Sequence, residues 1–484
     1  MKGILLYRNK PGRSILVLTL LLLTVVGLSY VIASQGVIGG GLITAGLIGA
    51  AFVVCAFNNP YFGFYITTIV SFFLFFIQRM LFIDGNAFLV DGLIYITFVG
   101  VLFQKYFKKD ALWETRTHKI SILLLLYFVF ILLEFLNPNA HSLAGNMVYT
   151  RDFMRQLLTY FITFNLFSSY KSIRNYFILW MVLMAICGAY GCFQQWHGLS
   201  ANELRSILID DMTAQLYRLA DGGWRKFSTF ADPTTFGISS AVTALFILVK
   251  MLKQKDIRLK ALYFVTVVIL LLAMTYTGTR TATFLFIAGV CLYVLMTMND
   301  KRTLLFFCIA AMIFAVLIFG PFYGSTSLNR LRSAFNKEDV SLNVRDVNRA
   351  RIQPYIYSHP FGGGLTVTNA IGAKYNPGHP LANFPPDSGL LKYALETGPI
   401  GLLFIVIIYF VVLQTGISTY FRTNDQTAKR MLLPLIVAVF GFMVAQYSQV
   451  AINQIPGVFF FCGAFAAIAR IAQRANDYDN SLKT

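Results

Sequence analysis

The sequence predicts an all-α fold, a polytopic helical membrane protein with 12 to 14 transmembrane helices and one long loop on the outer side. Three observations predict it. Of the 484 residues, 57% are hydrophobic and only 13% charged, about half the charged share of an ordinary soluble domain, which excludes a soluble cytoplasmic enzyme of one or two domains. About fourteen apolar runs approach the ~20 residues a helix needs to cross hydrocarbon with its backbone bonded internally. The net charge of +19, from 40 Lys and Arg against 21 Asp and Glu, is concentrated on alternate loops, the pattern that orients membrane proteins.

Residues 1–195 form the N-terminal transmembrane helices, with runs near 14–33, 37–57, 60–82, 88–103, 120–136, 155–169 and 175–195. Lys2, Arg8, Lys10 and Arg13 precede the first run, but Ser14 to Ala33 is longer than a signal-peptide core and no small-residue cleavage site follows. It reads as an uncleaved span with its N-terminus inside. Residues 196–320 hold the first outer loop, about Trp196 to Thr234, and runs near 234–252, 261–277, 282–298 and 303–320. Residues 321–396 are the second, longer outer loop, and 397–484 are the C-terminal transmembrane helices, with runs near 397–419, 431–451 and 456–472 and the C-terminus inside. Loops of this length are usually functional or disordered. The second has the aromatic, Pro and Gly content of an ordered loop, with helical stretches near 325–335 and 344–357, so that Arg345, Arg349 and Gln353 share adjacent turns.

With this threading, 24 of the 40 basic residues lie inside against seven acids, about +17, while the outer side and the spans hold about +2. Such asymmetry sets orientation and draws anionic lipid; it argues against nucleic acid as a partner. The six cysteines (Cys55, Cys187, Cys192, Cys291, Cys308 and Cys462) fall in or beside apolar runs without C-x-x-C spacing, as small buried hydrophobes do.

Chemistry is therefore sought in three outer patches. In the first, Arg225 and Lys226 precede Ser228-Thr229-Phe230 and Asp232-Pro233; Asp as N-cap with Pro at the first helical position is a helix start, and the two cations are interface anchors or anion ligands. The second, Thr277-Gly278-Thr279-Arg280, is a polar turn between two apolar runs. An Arg at that depth snorkels or takes a partner, and hydroxyls and amides at a helix start suit phosphate. The third runs from Arg345, Arg349 and Arg351 through His359-Pro360-Phe361-Gly362-Gly363-Gly364, His379-Pro380 and Pro385-Pro386-Asp387-Ser388 to Glu396-Thr397-Gly398. Three glycines fit a tight turn better than a phosphate cradle. The two histidines and the aspartate lack the spacing of metal ligands, so no metal and no cofactor is expected.

The order of these motifs resembles the O-antigen ligase and O-antigen polymerase superfamily of bacterial inner-membrane proteins: a basic residue with S-T-F-x-x-P, a T-G-T-R turn, a long loop opening with Arg, and an E-T-G-x-I-G-L-L segment. The resemblance is strongest over residues 225–404. It implies a glycosyltransferase that moves a glycan from an undecaprenyl-diphosphate carrier to a hydroxyl acceptor, glycan or lipid, at the periplasmic face without a metal. By the same resemblance Arg280 and Arg345 grip the diphosphate, whose growing charge in the transition state guanidinium groups stabilise. Where many ligases carry a His-Asn pair, this chain has Asp387-Ser388. A carboxylate can serve as general base, or Asp387 caps the helix that follows; the replacement leans the reading toward a polymerase or an acceptor other than lipid A core. Arg225, Lys226, Arg349, His359 and His379 are the expected substrate-binding residues. A transporter or flippase of lipid-linked sugars is the alternative; transporters often have matched halves, whereas both long outer loops here fall after residue 195.

Overall fold

In a computed structural model, the described residues are 46–82, 87–108, 118–140, 142–209, 211–219, 222–320, 332 and 340–481, with isolated positions between 29 and 44. The expected first span, 14–33, and the helical stretch 325–335 lie essentially outside them. After an apolar helix, Gly46–Asn58, the chain runs through α1 (Pro60–Leu81), α2 (Ala87–Lys108), α3 (Lys119–Leu133), α4 (Leu143–Leu166) and α5 (Tyr170–His197). Two short helices, α6 (Ala201–Ile207) and α7 (Asp211–Tyr217), occupy the first long loop. Then come α8 (Pro233–Leu252), α9 (Ile257–Tyr276), α10 (Arg280–Thr297) and α11 (Lys301–Phe319). The second loop holds α12 (Val340–Ser358), α13 (Asn369–Tyr375) and α14 (Gly389–Glu396), and the chain closes with α15 (Gly398–Arg422), α16 (Gln426–Ser448) and α17 (Gly457–Ser481). The protein is all-α, and ten of these helices are long and apolar enough to cross a membrane.

Burial sorts the spans. In α8 and α17, 83% of the apolar window is buried, against 22% in α9 and 28% in α15, so the first pair forms the core and the second faces outward. Small residues let α8 sit centrally: Gly289 of α10 leaves room for Leu245, and Gly237 approaches Thr277, whose Oγ1 would lie 2.6 Å from an added Cβ. Asp232 caps α8 as expected, accepting from the Thr234 and Thr235 amides at 2.8 and 2.9 Å.

One expected boundary moves. The run read as 155–169 is the end of α4, which starts at Leu143 after Ser142 as N-cap. Arg151, Asp152 and Arg155 interrupt its hydropathy, but Asp91 of α2 answers them: Arg155 donates from Nε to Oδ1 at 2.6 Å and from Nη2 to Oδ2 at 3.2 Å. Nη2 also reaches Asp152 at 3.1 Å. A bidentate pair of this kind makes a charge tolerable at membrane depth.

The second loop folds back on the α3–α4 connection. Asn137 and Asn139 donate to the Phe361 and Gly362 carbonyls at 2.9 and 3.1 Å, and Thr366 donates to the Gly145 carbonyl at 2.8 Å. Ala140, Val367, Leu381 and Leu395 close a small core there, separate from the main one.

Candidate active site

The T-G-T-R turn is held from the loop between α5 and α8. Arg225 donates from Nε to the Thr277 carbonyl at 2.8 Å, from Nη1 to the Leu216 carbonyl at 3.0 Å, and from Nη2 to the Thr279 and Thr234 hydroxyls at 3.0 and 3.3 Å. The backbone N–H of Lys226, whose side chain is buried, donates to the Tyr276 carbonyl at 3.1 Å. The loop is fixed in turn by Arg79 of α1, which donates to the Phe230 and Ser228 carbonyls at 2.7 and 2.9 Å and lies over the Phe227 ring. Arg280 follows the N-cap Thr279 as the first residue of α10 and is half-buried.

The second loop contributes from two places. Arg349 stands on α12 with its guanidinium 5.0 Å from the Tyr447 ring centre and Nη1 3.4 Å from the Tyr447 hydroxyl. Arg345 occupies the preceding turn of the same helix face; its side chain is outside the described set. Asp387 does not cap α14. Ser388 does, accepting from the Leu391 amide at 3.3 Å. Asp387 stands just before the cap, half-buried, and its carboxylate makes no hydrogen bond or ion pair among the described residues.

What joins these parts is the end of α16. The Ser388 hydroxyl donates to the Gln446 carbonyl at 3.2 Å and the Gly389 amide to the Gln449 carbonyl at 3.2 Å. Tyr447 meets Arg349, and the Ser448 hydroxyl is 2.9 Å from that of Thr281, next to Arg280. Four consecutive residues thus draw the T-G-T-R turn, α12 and the Asp387 segment together. Sequence reading missed them: Gln446 to Gln449 sat inside an apolar run, and the signal was the polar break Gln446-Tyr447-Ser448-Gln449 at its end.

Neither histidine contacts this cluster among the described residues. His359 stacks on Tyr355 with ring centres 4.0 Å apart, and its Nδ1 lies 2.9 Å from the Tyr355 carbonyl. His379 accepts the Leu381 amide at Nδ1, 3.1 Å away, so its neutral form carries the proton on Nε2, 3.5 Å from the Tyr355 hydroxyl. Burial, then the nearby His359, lowers the His379 pKa below the ordinary 6.5. From Arg349 to His359 is about 15 Å along α12. The glycines between the two histidines dock on the E-T-G segment: Gly363 and Gly364 donate to the Leu395 and Glu396 carbonyls at 2.8 and 3.1 Å. A Cβ on Gly398, whose φ is +68°, would lie 2.5 Å from the Gly362 nitrogen. These glycines serve close backbone packing.

Beneath α14 lies a polar cavity of about 40 Å³ whose lining includes Asp152, Gln156, Lys392, Glu396 and Asn453. Glu396 is buried; its Oε1 accepts from the Thr368 hydroxyl at 2.5 Å, and Oε2 has no hydrogen-bond partner among the described residues. Burial pushes the Glu396 carboxyl up, against the opposing pull of Lys392, whose Nζ is 3.9 Å away.

The T-G-T-R turn, α12, the Asp387 segment and the start of α15 fall within the residues that match a family model described as O-antigen ligase, 265–406. Over that segment, 142 of the 484 residues, the chain is similar to the O-antigen ligase family, in keeping with the superfamily its motifs resemble. No curated protein matches the chain. Arg225 and Lys226 precede the O-antigen ligase segment and Gln446 to Gln449 follow it, so the cluster is built partly from outside it.

Proposed function

We propose that the protein is a glycan polymerase or ligase that transfers a glycan from an undecaprenyl-diphosphate carrier to a hydroxyl acceptor at the periplasmic face of the bacterial inner membrane, with both termini cytoplasmic. The observation that carries this reading is the convergence of Thr281, beside Arg280, of Arg349, and of Ser388, beside Asp387, on the four residues closing α16.

Arg280 and Arg345 grip the donor diphosphate, and Arg349 supports them from the next turn of α12. The acceptor hydroxyl attacks the anomeric carbon, the bond from that carbon to the diphosphate oxygen breaks, and configuration inverts. Asp387 takes the hydroxyl proton, a role that suits a carboxylate without a hydrogen-bond or ion-pair partner among the described residues. The departing lipid diphosphate carries the released charge, which guanidinium groups stabilise more than they stabilise bound substrate. No metal step is needed. Arg225 acts as a positioning residue for Arg280, Lys226 ties its loop to Tyr276 beside the same turn, and His359 and His379, outside the cluster, are assigned to substrate binding.

The test is transfer from a carrier-linked glycan by the purified chain with a chelator present. Arg280→Ala and Asp387→Asn are expected to lose about 10²-fold or more in rate. Normal transfer by either variant would remove that residue from the mechanism. Products lengthened on the carrier would identify a polymerase; products joined to a second lipid, a ligase.

A further inference from the structure

At the other end of α16 the chain has a second pocket, unrelated to the glycan chemistry. It has a volume of about 440 Å³, within the usual range for small-ligand sites. Its floor is apolar, from Val249, Leu252 and Leu433; Lys253, Lys255, Lys429 and Arg430 stand around it. Lys253 is paired with Asp300 at 3.8 Å, but Lys255, Lys429 and Arg430 make no ion pair among the described residues. Asp300 is also the sole acidic residue in the lining among the described residues. Three cations converging without acidic partners repel one another, and a bound anion removes that cost.

The position says which anion. Arg430 and Ser448 are 18 residues apart on one helix, about 27 Å, close to the ~30 Å of a bilayer's hydrocarbon core. The pocket therefore lies at the opposite end of the spans from the candidate site, where α8, α10, α11, α15 and α16 end or begin. Basic pockets between transmembrane helices at this level hold phosphate headgroups, and the apolar floor favours a ligand that brings a hydrocarbon part.

We propose that this pocket binds the phosphate headgroup of an anionic membrane lipid, with Lys255, Lys429 and Arg430 on the phosphate and Val249, Leu252 and Leu433 against the glycerol or upper chain. Lys253 then closes the rim while keeping its pair with Asp300.

The experiment uses the full chain in neutral detergent. Phosphatidylglycerol, phosphatidylcholine or inorganic phosphate at matched ionic strength is titrated in, with thermal unfolding and native mass spectrometry as readouts. Saturable binding and a raised Tm are expected with phosphatidylglycerol alone. The Lys255→Gln/Arg430→Gln variant should bind roughly thirtyfold more weakly, about two charges' worth. A control variant, Lys171→Gln/Arg174→Gln, removes the same charge outside the pocket and should bind normally. A cooperative unfolding transition in all three proteins without lipid shows that they fold, with the pocket variant at least as stable as wild type because fewer cations repel. Equal weakening in the control, or equal binding of phosphatidylcholine, overturns the proposal. Phosphate-induced stabilisation lost only in the pocket variant overturns the lipid assignment in favour of a soluble anion.

Discussion

Arg225→Ala removes the staple on the T-G-T-R turn, and the structure sets the size of the effect. The guanidinium donates to two carbonyls at 2.8 and 3.0 Å and two hydroxyls at 3.0 and 3.3 Å. Hydrogen bonds from a charged donor contribute about 1.5–3 kcal/mol each. Of these acceptors the Thr277 carbonyl and the Thr279 hydroxyl belong to the turn; counting the carbonyl bond near the lower end, because the side chain is half-buried, and adding about 1 kcal/mol for the hydroxyl gives about 2.5–3 kcal/mol for keeping the turn docked. The turn should then open roughly 10²-fold more often, and hydrogen exchange of its amides should accelerate by the same factor where opening limits it. The assay is exchange measured by mass spectrometry on a peptide spanning 276–282, with transfer rate measured in parallel. Arg225→Lys retains the charge but reaches fewer of these acceptors, so it should fall between wild type and alanine in both. Unchanged exchange in Arg225→Ala would refute the staple, whatever happens to transfer. Slower transfer with unchanged exchange would make Arg225 a direct ligand instead.

Two further outcomes follow from the same geometry. Asp91→Asn leaves the buried Arg155 with Asp152 as its remaining acidic partner and should lower stability by about 3 kcal/mol, the low end for a broken buried pair; Asp91→Asn/Arg155→Leu should recover part of it, and a double variant no more stable than the single would contradict the pairing. His379 is held below its ordinary 6.5, so the unfolded chain binds the proton first as pH falls. Its contribution is complete above 6.5 and is lost as pH drops below that value, so Tm should fall more steeply with acid in wild type than in His379→Gln, and parallel curves would sink this.

How much of this was legible depends on the range of the chemistry. The start of α8 was read correctly because an Asp cap and a Pro at the first turn act within three residues. Arg345 and Arg349 were placed on one helix because helical spacing is local too. The beginning of α4 was missed because the residue that makes Arg155 tolerable, Asp91, lies on α2, beyond any hydropathy window. Asp387 was weighed as a cap, yet the adjacent Ser388 has the hydroxyl that reaches the Leu391 amide. The meeting point on α16 was hidden for a different reason. Gln446, Tyr447, Ser448 and Gln449 carry no motif of their own; three of them meet the loops through carbonyls or a ring face, and Ser448 through a single hydroxyl.

The meeting point also imposes an order on biogenesis. A chain made from its N-terminus has threaded the T-G-T-R turn, α12 and the Asp387 segment before residues 446–449 leave the ribosome. Until α16 is inserted, Thr281, Arg349 and Ser388 lack the partners that gather them. A product released at residue 406 would hold the whole O-antigen ligase segment and yet have its cationic parts unassembled. Assembly of the candidate site is thereby deferred to a late stage of insertion, when the bundle around it is nearly complete.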